Sequence, residues 1–173
     1  MENTLKNKLL QPIRSGTRYA LIALLTVSGA LYFTMHVLGT SQYAPIGALW
    51  AMISGMVVMT DTYAGTVEKA RFQVLGGLAG AIAGFVYLSL FPFSIVGMVV
   101  MIGLVASICQ ATQLSGYTPG AAMNTGVILI FSSINPELTP FMNSGLRIIE
   151  MAIGCGIAII VVRFLPHAQN RPA

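Results

Sequence analysis

Residues 72–91 read FQVLGGLAGAIAGFVYLSLF, a run with no acidic or basic side chain. A bilayer's hydrocarbon core takes about 20 apolar residues of helix. Backbone polar groups inside it must be satisfied within a helix or a closed barrel. The run lacks the strict alternation of a half-buried strand, so it reads as a membrane-crossing helix. The pattern recurs on both sides. From Tyr19 to Leu165 it predicts six spans: Tyr19–Leu38, Pro45–Met59, Phe72–Phe91, Phe93–Ala111, Pro119–Ile134 and Leu146–Leu165. With 55% hydrophobic residues, 8% charged and a mean hydropathy of +0.80, the chain has the balance of a polytopic all-α membrane protein.

The connections are too short to fold separately, so any chemistry must be built inside the helix bundle or at its mouths. The expected organisation is an interfacial segment at 1–17, a six-helix transmembrane module at 18–166 and a cytoplasmic tail at 167–173. A cleaved signal peptide is not expected, because the first apolar run is of spanning length. Within residues 3–16, Leu5, Leu9, Leu10 and Ile13 form an apolar stripe opposed by Lys6, Asn7, Lys8 and Arg14. That pattern predicts a short amphipathic helix on the membrane surface, with a disordered basic tail as the other option, before the chain turns in at Arg18.

Basic residues set the orientation. Lys6, Lys8, Arg14 and Arg18 precede the first span, Lys69 and Arg71 separate the second from the third, and Arg163 and Arg171 close the sixth. With the N-terminus inside, all of these fall on the cytoplasmic side and only Arg147 on the other, so both termini are expected to be cytoplasmic. The net charge of +4 then reports topology and anionic lipid headgroups rather than nucleic acid. Cys109 and Cys155 sit in apolar spans without metal-like spacing and read as buried thiols. His36 and His167 have no ligating neighbours on a shared helical face; His36 reads as interfacial packing or a proton relay. No metal or cofactor is expected, and no nucleophile–base or phosphate-loop pattern supports an enzyme.

The two halves echo each other. Ser41, Tyr43, Pro45 and Ala48 before the second span match Ser115, Tyr117, Pro119 and Ala122 before the fifth. Glu68 with Arg71, and Arg147 with Glu150, place an acid and an arginine three apart at the start of the third and sixth spans. Three spans per half would make this an inverted repeat, a recurrent transporter architecture; chance interfacial Tyr-x-Pro starts are the rival explanation. The second and fifth spans are both short, about 15 residues or 22 Å of helix. Paired short helices at matching positions point to a transport site.

Asp61 follows one of these short spans. It reads either as a partly dehydrated, proton-coupling carboxylate or as a cap for the next helix. Arg71 and Arg147 can each grip a carboxylate through paired hydrogen bonds, or serve as a topology signal and a partner for Glu150. Trp50, Gln110, Thr112, Gln113 and Asn124 can line a path or pack against other helices. Met52, Met56 and Met59 read as packing. Gly76, Gly80 and Gly84 form a ladder that lets another helix approach closely, within the chain or between subunits.

Trp50-Ala-Met-Ile-Ser54, then Thr62, Gly65, Arg71, Gly76, Gly77 and Gly84, resembles the fusaric acid resistance family. So does the tail from Arg147 and Glu150 through Gly154 and Gly156 to Phe164 and Pro166. The resemblance covers roughly residues 15–166. It implies a six-helix membrane module and efflux of aromatic carboxylic acids across the bacterial inner membrane; plant malate-type anion channels resemble the same fold. Family members often carry two modules or an added cytoplasmic domain. One module alone implies that several copies assemble, as a dimer or trimer, or that the chain is a simpler channel-like relative.

Together these observations predict an inner-membrane exporter of small organic carboxylic acids. Arg71, Arg147, Trp50, Gln110, Gln113 and Asn124 would bind the substrate, and Asp61 and Glu150 would handle protons. A passive anion channel and a non-transporting accessory subunit are the alternatives.

Overall fold

The computed structural model describes residues 2–37 and 43–165, with side chains from Gln11 onward except Val37. Leu38, Ser41, Pro166, His167 and Arg171, used above, lie outside the described residues. Six α-helices account for almost all of the rest: α1 (Glu2–Tyr32), α2 (Ala44–Val58), α3 (Tyr63–Leu90), α4 (Ile95–Ala111), α5 (Thr118–Ile134) and α6 (Pro140–Phe164). A π-helical turn, Phe33–Val37, extends α1, and a 3₁₀ turn, Ser115–Tyr117, leads into α5. Among the described residues there is no strand.

Local chemistry sets the helix starts. Thr62 Oγ1 accepts from Gly65 N at 3.1 Å ahead of α3, and Ser94 Oγ from Gly97 N at 3.0 Å ahead of α4. Thr139 Oγ1 accepts from Met142 N at 3.3 Å ahead of α6. Each satisfies an N–H that the first helical turn leaves open. Helices α2 and α5 instead carry Pro45 and Pro119 in their first turns, where a missing N–H costs nothing.

Three stretches are long and apolar enough to cross a membrane: Gln11–His36, Tyr63–Leu90 and Pro140–Phe164. The other three helices are shorter, at 15 residues for α2 and 17 each for α4 and α5. Several expected boundaries need correction. Helix α3 begins at Tyr63 rather than Phe72, because the Thr62 cap precedes the charged turn. Helix α6 begins at Pro140 rather than Leu146, because Thr139-Pro140 is itself a start signal. Helix α4 joins the short class. No turn separates an N-terminal helix from the first span: α1 runs unbroken through Pro12 and Arg18. Pro12 removes one backbone donor, while Thr17 Oγ1 bonds back to the Ile13 carbonyl at 2.9 Å.

The chain forms two compact units, one of residues 1–70 and 153–173 and one of residues 71–152. In the first, Ala30, Ala48 and Ala51 build a small-residue core between α1 and α2, flanked by Val27 and Leu31. A Cβ on Gly154 would run into the Ala51 carbonyl oxygen, so the end of α6 packs backbone to backbone on α2. Arg18 is buried and donates from Nη2 to the Thr60 carbonyl at 2.7 Å. It is a tether between α1 and the end of α2, not a bend.

In the second unit α3 lies against α5. A Cβ on Gly76 would meet the Tyr117 carbonyl oxygen, one on Gly80 that of Ala121, and one on Gly84 the Ile128 side chain. The glycine ladder is therefore used inside the chain. Thr125 Oγ1 also donates to the Gly80 carbonyl at 3.2 Å, a polar contact across an apolar helix pair. Val105 and Cys109 of α4 close the other side of α5 around Ala121.

Candidate functional site

Helix α6 carries polar residues in its first half, in register toward α5. Asn143, Arg147 and Glu150 follow one another at spacings of four and three, which places them along one face. Asn143 Nδ2 donates to the Ile128 carbonyl at 2.9 Å. One turn on, the Arg147 guanidinium lies 4.6 Å from the centroid of the Phe131 ring, a cation–π contact. Arg147 Nη2 donates to Glu150 Oε1 at 2.9 Å, and Nη1 stands 2.8 Å from Oε2 without the alignment of a second hydrogen bond. Both side chains are enclosed, 1% and 4% exposed.

That enclosure changes the energetics. An exposed pair at this spacing contributes only a few tenths of a kcal/mol. A buried pair balances a large desolvation cost against strong attraction, and removing one partner leaves an uncompensated charge. Further polar atoms in this segment have no hydrogen-bond partner: Arg147 Nε, Asn143 Oδ1 and Ser144 Oγ. Leaving a buried polar atom unsatisfied costs about 1–3 kcal/mol, so the segment is expensive as pure scaffold. Chemically, it offers an obligate cation, an aromatic face, a carboxylate and buried hydrogen-bonding atoms where α6 meets α5.

Of the residues expected to form a site, Arg147 and Glu150 are brought together. Asn124 is buried and committed to packing, with Nδ2 donating to the Gly77 carbonyl at 2.6 Å. Gln110 and Gln113 are exposed at the end of α4. Gln113 adopts φ 59°, the left-handed conformation that stops a helix, while Leu114 N bonds back to the Cys109 carbonyl. Arg71 is exposed on α3, and Trp50 is half-buried on α2. Asp61 is not enclosed by the protein: its side chain is 74% exposed, 3.9 Å from Arg18 Nη1. Thr62 Oγ1 caps α3. His36 is exposed and stacks on Tyr32 with 4.6 Å between ring centroids, and both cysteines are buried.

Four residues of interest escaped the sequence reading. Asn143 and Ser144 fell before the expected start of the sixth span, and heeding Thr139-Pro140 would have included them. Phe131 looked like any apolar residue of α5. Arg18 looked like a topology charge, and no one-dimensional pattern marks it as buried.

Residues 25–161 match the family model described as fusaric acid resistance protein-like. No curated protein and no solved structure matches the chain. The matched segment holds the Arg147–Glu150 pair, the glycine ladder of α3 and every short helix, and it spans well over half of the 173 residues. The chain belongs to the fusaric acid resistance protein-like family, a family of membrane transporters.

Proposed function

We propose that this chain is an inner-membrane exporter of small organic carboxylic acids, aromatic ones foremost, working as a homo-oligomer with both termini cytoplasmic. One observation carries the proposal: in a chain of a transporter family, Arg147 is enclosed among apolar helices with a carboxylate and an aromatic ring as its neighbours. A guanidinium that already pairs with Glu150 and stacks on Phe131 has the chemistry to accept an aromatic carboxylate. Arg71, exposed, would draw anions toward the protein. Trp50, Gln110 and Gln113 would contact the passing anion, with Asn124 holding the wall of the path. Glu150 and the exposed Asp61 would exchange protons.

The composition of the two compact units supports an inverted repeat of six membrane helices. One unit joins α1 and α2 to the first part of α3 and the last part of α6. The other joins α4 and α5 to the first part of α6 and the last part of α3. Such swapped membership is what two opposed three-helix repeats would produce.

The test is transport. Reconstituted into liposomes with an imposed pH gradient, the protein should move aromatic acids faster than protein-free liposomes do. No excess flux across a broad panel of acids, from protein shown to be folded, would refute export. Anion current with no pH gradient would assign a passive channel instead.

A further inference from the structure

A guanidinium has two edges that can each hold a carboxylate, one across Nη1 and Nη2 and one along Nε. Glu150 occupies the first edge of Arg147, at 2.9 and 2.8 Å. Nε on the second is buried and has no protein partner. Long side chains on a helix lie back over the preceding turn, and here that turn holds Asn143 and Ser144. Both are buried, and Asn143 Oδ1 and Ser144 Oγ have no hydrogen-bond partner. Polar atoms with nothing to bond therefore gather within one turn of α6, at the guanidinium that also stacks on Phe131.

We propose that the Nε edge of Arg147, with the Ser144 hydroxyl beside it, seats the transported carboxylate, and that filling it draws one proton onto Glu150. The inference rests on the export proposal and specifies its chemistry. At rest, Arg147 and Glu150 form a neutral pair. A second carboxylate on the same cation would leave a net negative charge among apolar helices, and two carboxylates sharing one site do not both stay ionised. Uptake of one proton from solution converts the Glu150 carboxylate to a carboxylic acid and restores neutrality. Anion and proton are then held together, and the load that moves carries no net charge.

Within this unit no other group competes for that proton. Helix α5 has no titratable side chain, and Glu137, between α5 and α6, is exposed. The part of α3 in this unit has only Arg71, exposed, and Tyr87, whose hydroxyl is engaged with Pro92 and Ser94. Helix α4 contributes only the buried thiol of Cys109, and the turn before α5 only Tyr117, whose ring meets Phe72 edge-on.

The experiment is benzoate binding to the full chain in lipid nanodiscs, by calorimetry in buffers of different ionisation enthalpy. Wild type should take up close to one proton per benzoate, with affinity falling up to about tenfold per pH unit. Glu150→Gln should bind without proton uptake and without that pH dependence. Arg147→Lys, which keeps the charge but loses both edges, should bind at least roughly tenfold more weakly. Ser144→Ala leaves the ion pair intact, so it guards against a folding defect; it should weaken binding roughly five- to tenfold. Proton uptake that persists in Glu150→Gln would overturn the inference, as would wild-type affinity in both Arg147→Lys and Ser144→Ala. If acids are transported and those variants bind normally, export stands and the seat is wrong. If wild type neither transports the acid panel nor binds benzoate, export itself fails, and this inference with it.

Discussion

Arg147 cannot shed its charge under physiological conditions, so its burial has to be answered locally, and Glu150 answers it from the same helix at 2.9 Å. Removing one partner is therefore worse than removing both. Arg147→Ala should destabilise the protein by about 3–5 kcal/mol. The double change Arg147→Met with Glu150→Leu should recover most of that loss. Denaturant unfolding in detergent micelles measures both, and a single variant as stable as wild type would show that the pair is solvated after all. The glycines allow an equally sharp comparison. Gly154→Ala places a methyl against the Ala51 carbonyl oxygen and should cost about 1–3 kcal/mol. Gly103 has nothing within 4 Å of an added Cβ, so Gly103→Ala should be neutral or up to about 1 kcal/mol stabilising. Thermal melts of the two variants side by side would decide it; equal melting would mean the α2–α6 contact is not close.

Among the elements, the link between α2 and α3 is held by a network of threonines. Thr62 Oγ1 accepts from Gly65 N, Thr66 Oγ1 donates to the Thr62 carbonyl at 3.0 Å, and Thr60 N donates to Thr66 Oγ1 at 3.0 Å. Thr62→Ala should therefore cost about 1 kcal/mol. Chemical unfolding measures it, and a Thr62→Ala variant as stable as wild type would show that this cap is not needed. The α3–α5 contact belongs to the same scale. Small residues along α3 allow close approach, and Asn124 and Thr125 then bond to carbonyls of Gly77 and Gly80. In lipid, where apolar burial does not drive association, such packing and hydrogen bonds hold helices together.

For the molecule as a whole, orientation is the testable consequence of the charge pattern. A single cysteine at Glu137→Cys should react with a membrane-impermeant thiol reagent added to intact cells, and one at Lys69→Cys only after permeabilisation. The reverse result would invert the topology and assign Arg147 to the cytoplasmic half. Both native cysteines are buried, so replacing them with alanine or serine provides a silent background. Helices α2 and α5, within about a residue at each end, and the apolar stretches of α3 and α6 follow from periodicity and punctuation. The starts of α3 and α6 lie further upstream than hydropathy alone places them, because each helix opens with a charged or polar turn that reads as a span boundary.

Hydropathy and the placement of Lys and Arg were enough to establish an all-helical membrane protein and its expected orientation. Those properties depend on transfer of each segment between water and lipid, a sum over local residues. Which polar side chains matter was settled only by tertiary contact. Arg71 and Arg147 look alike along the chain, each three residues from an acid. One is exposed on α3 and the other is enclosed between Glu150 and Phe131. Burial of a charge depends on what the opposite helix presents at that height, and no window along a single helix contains that information.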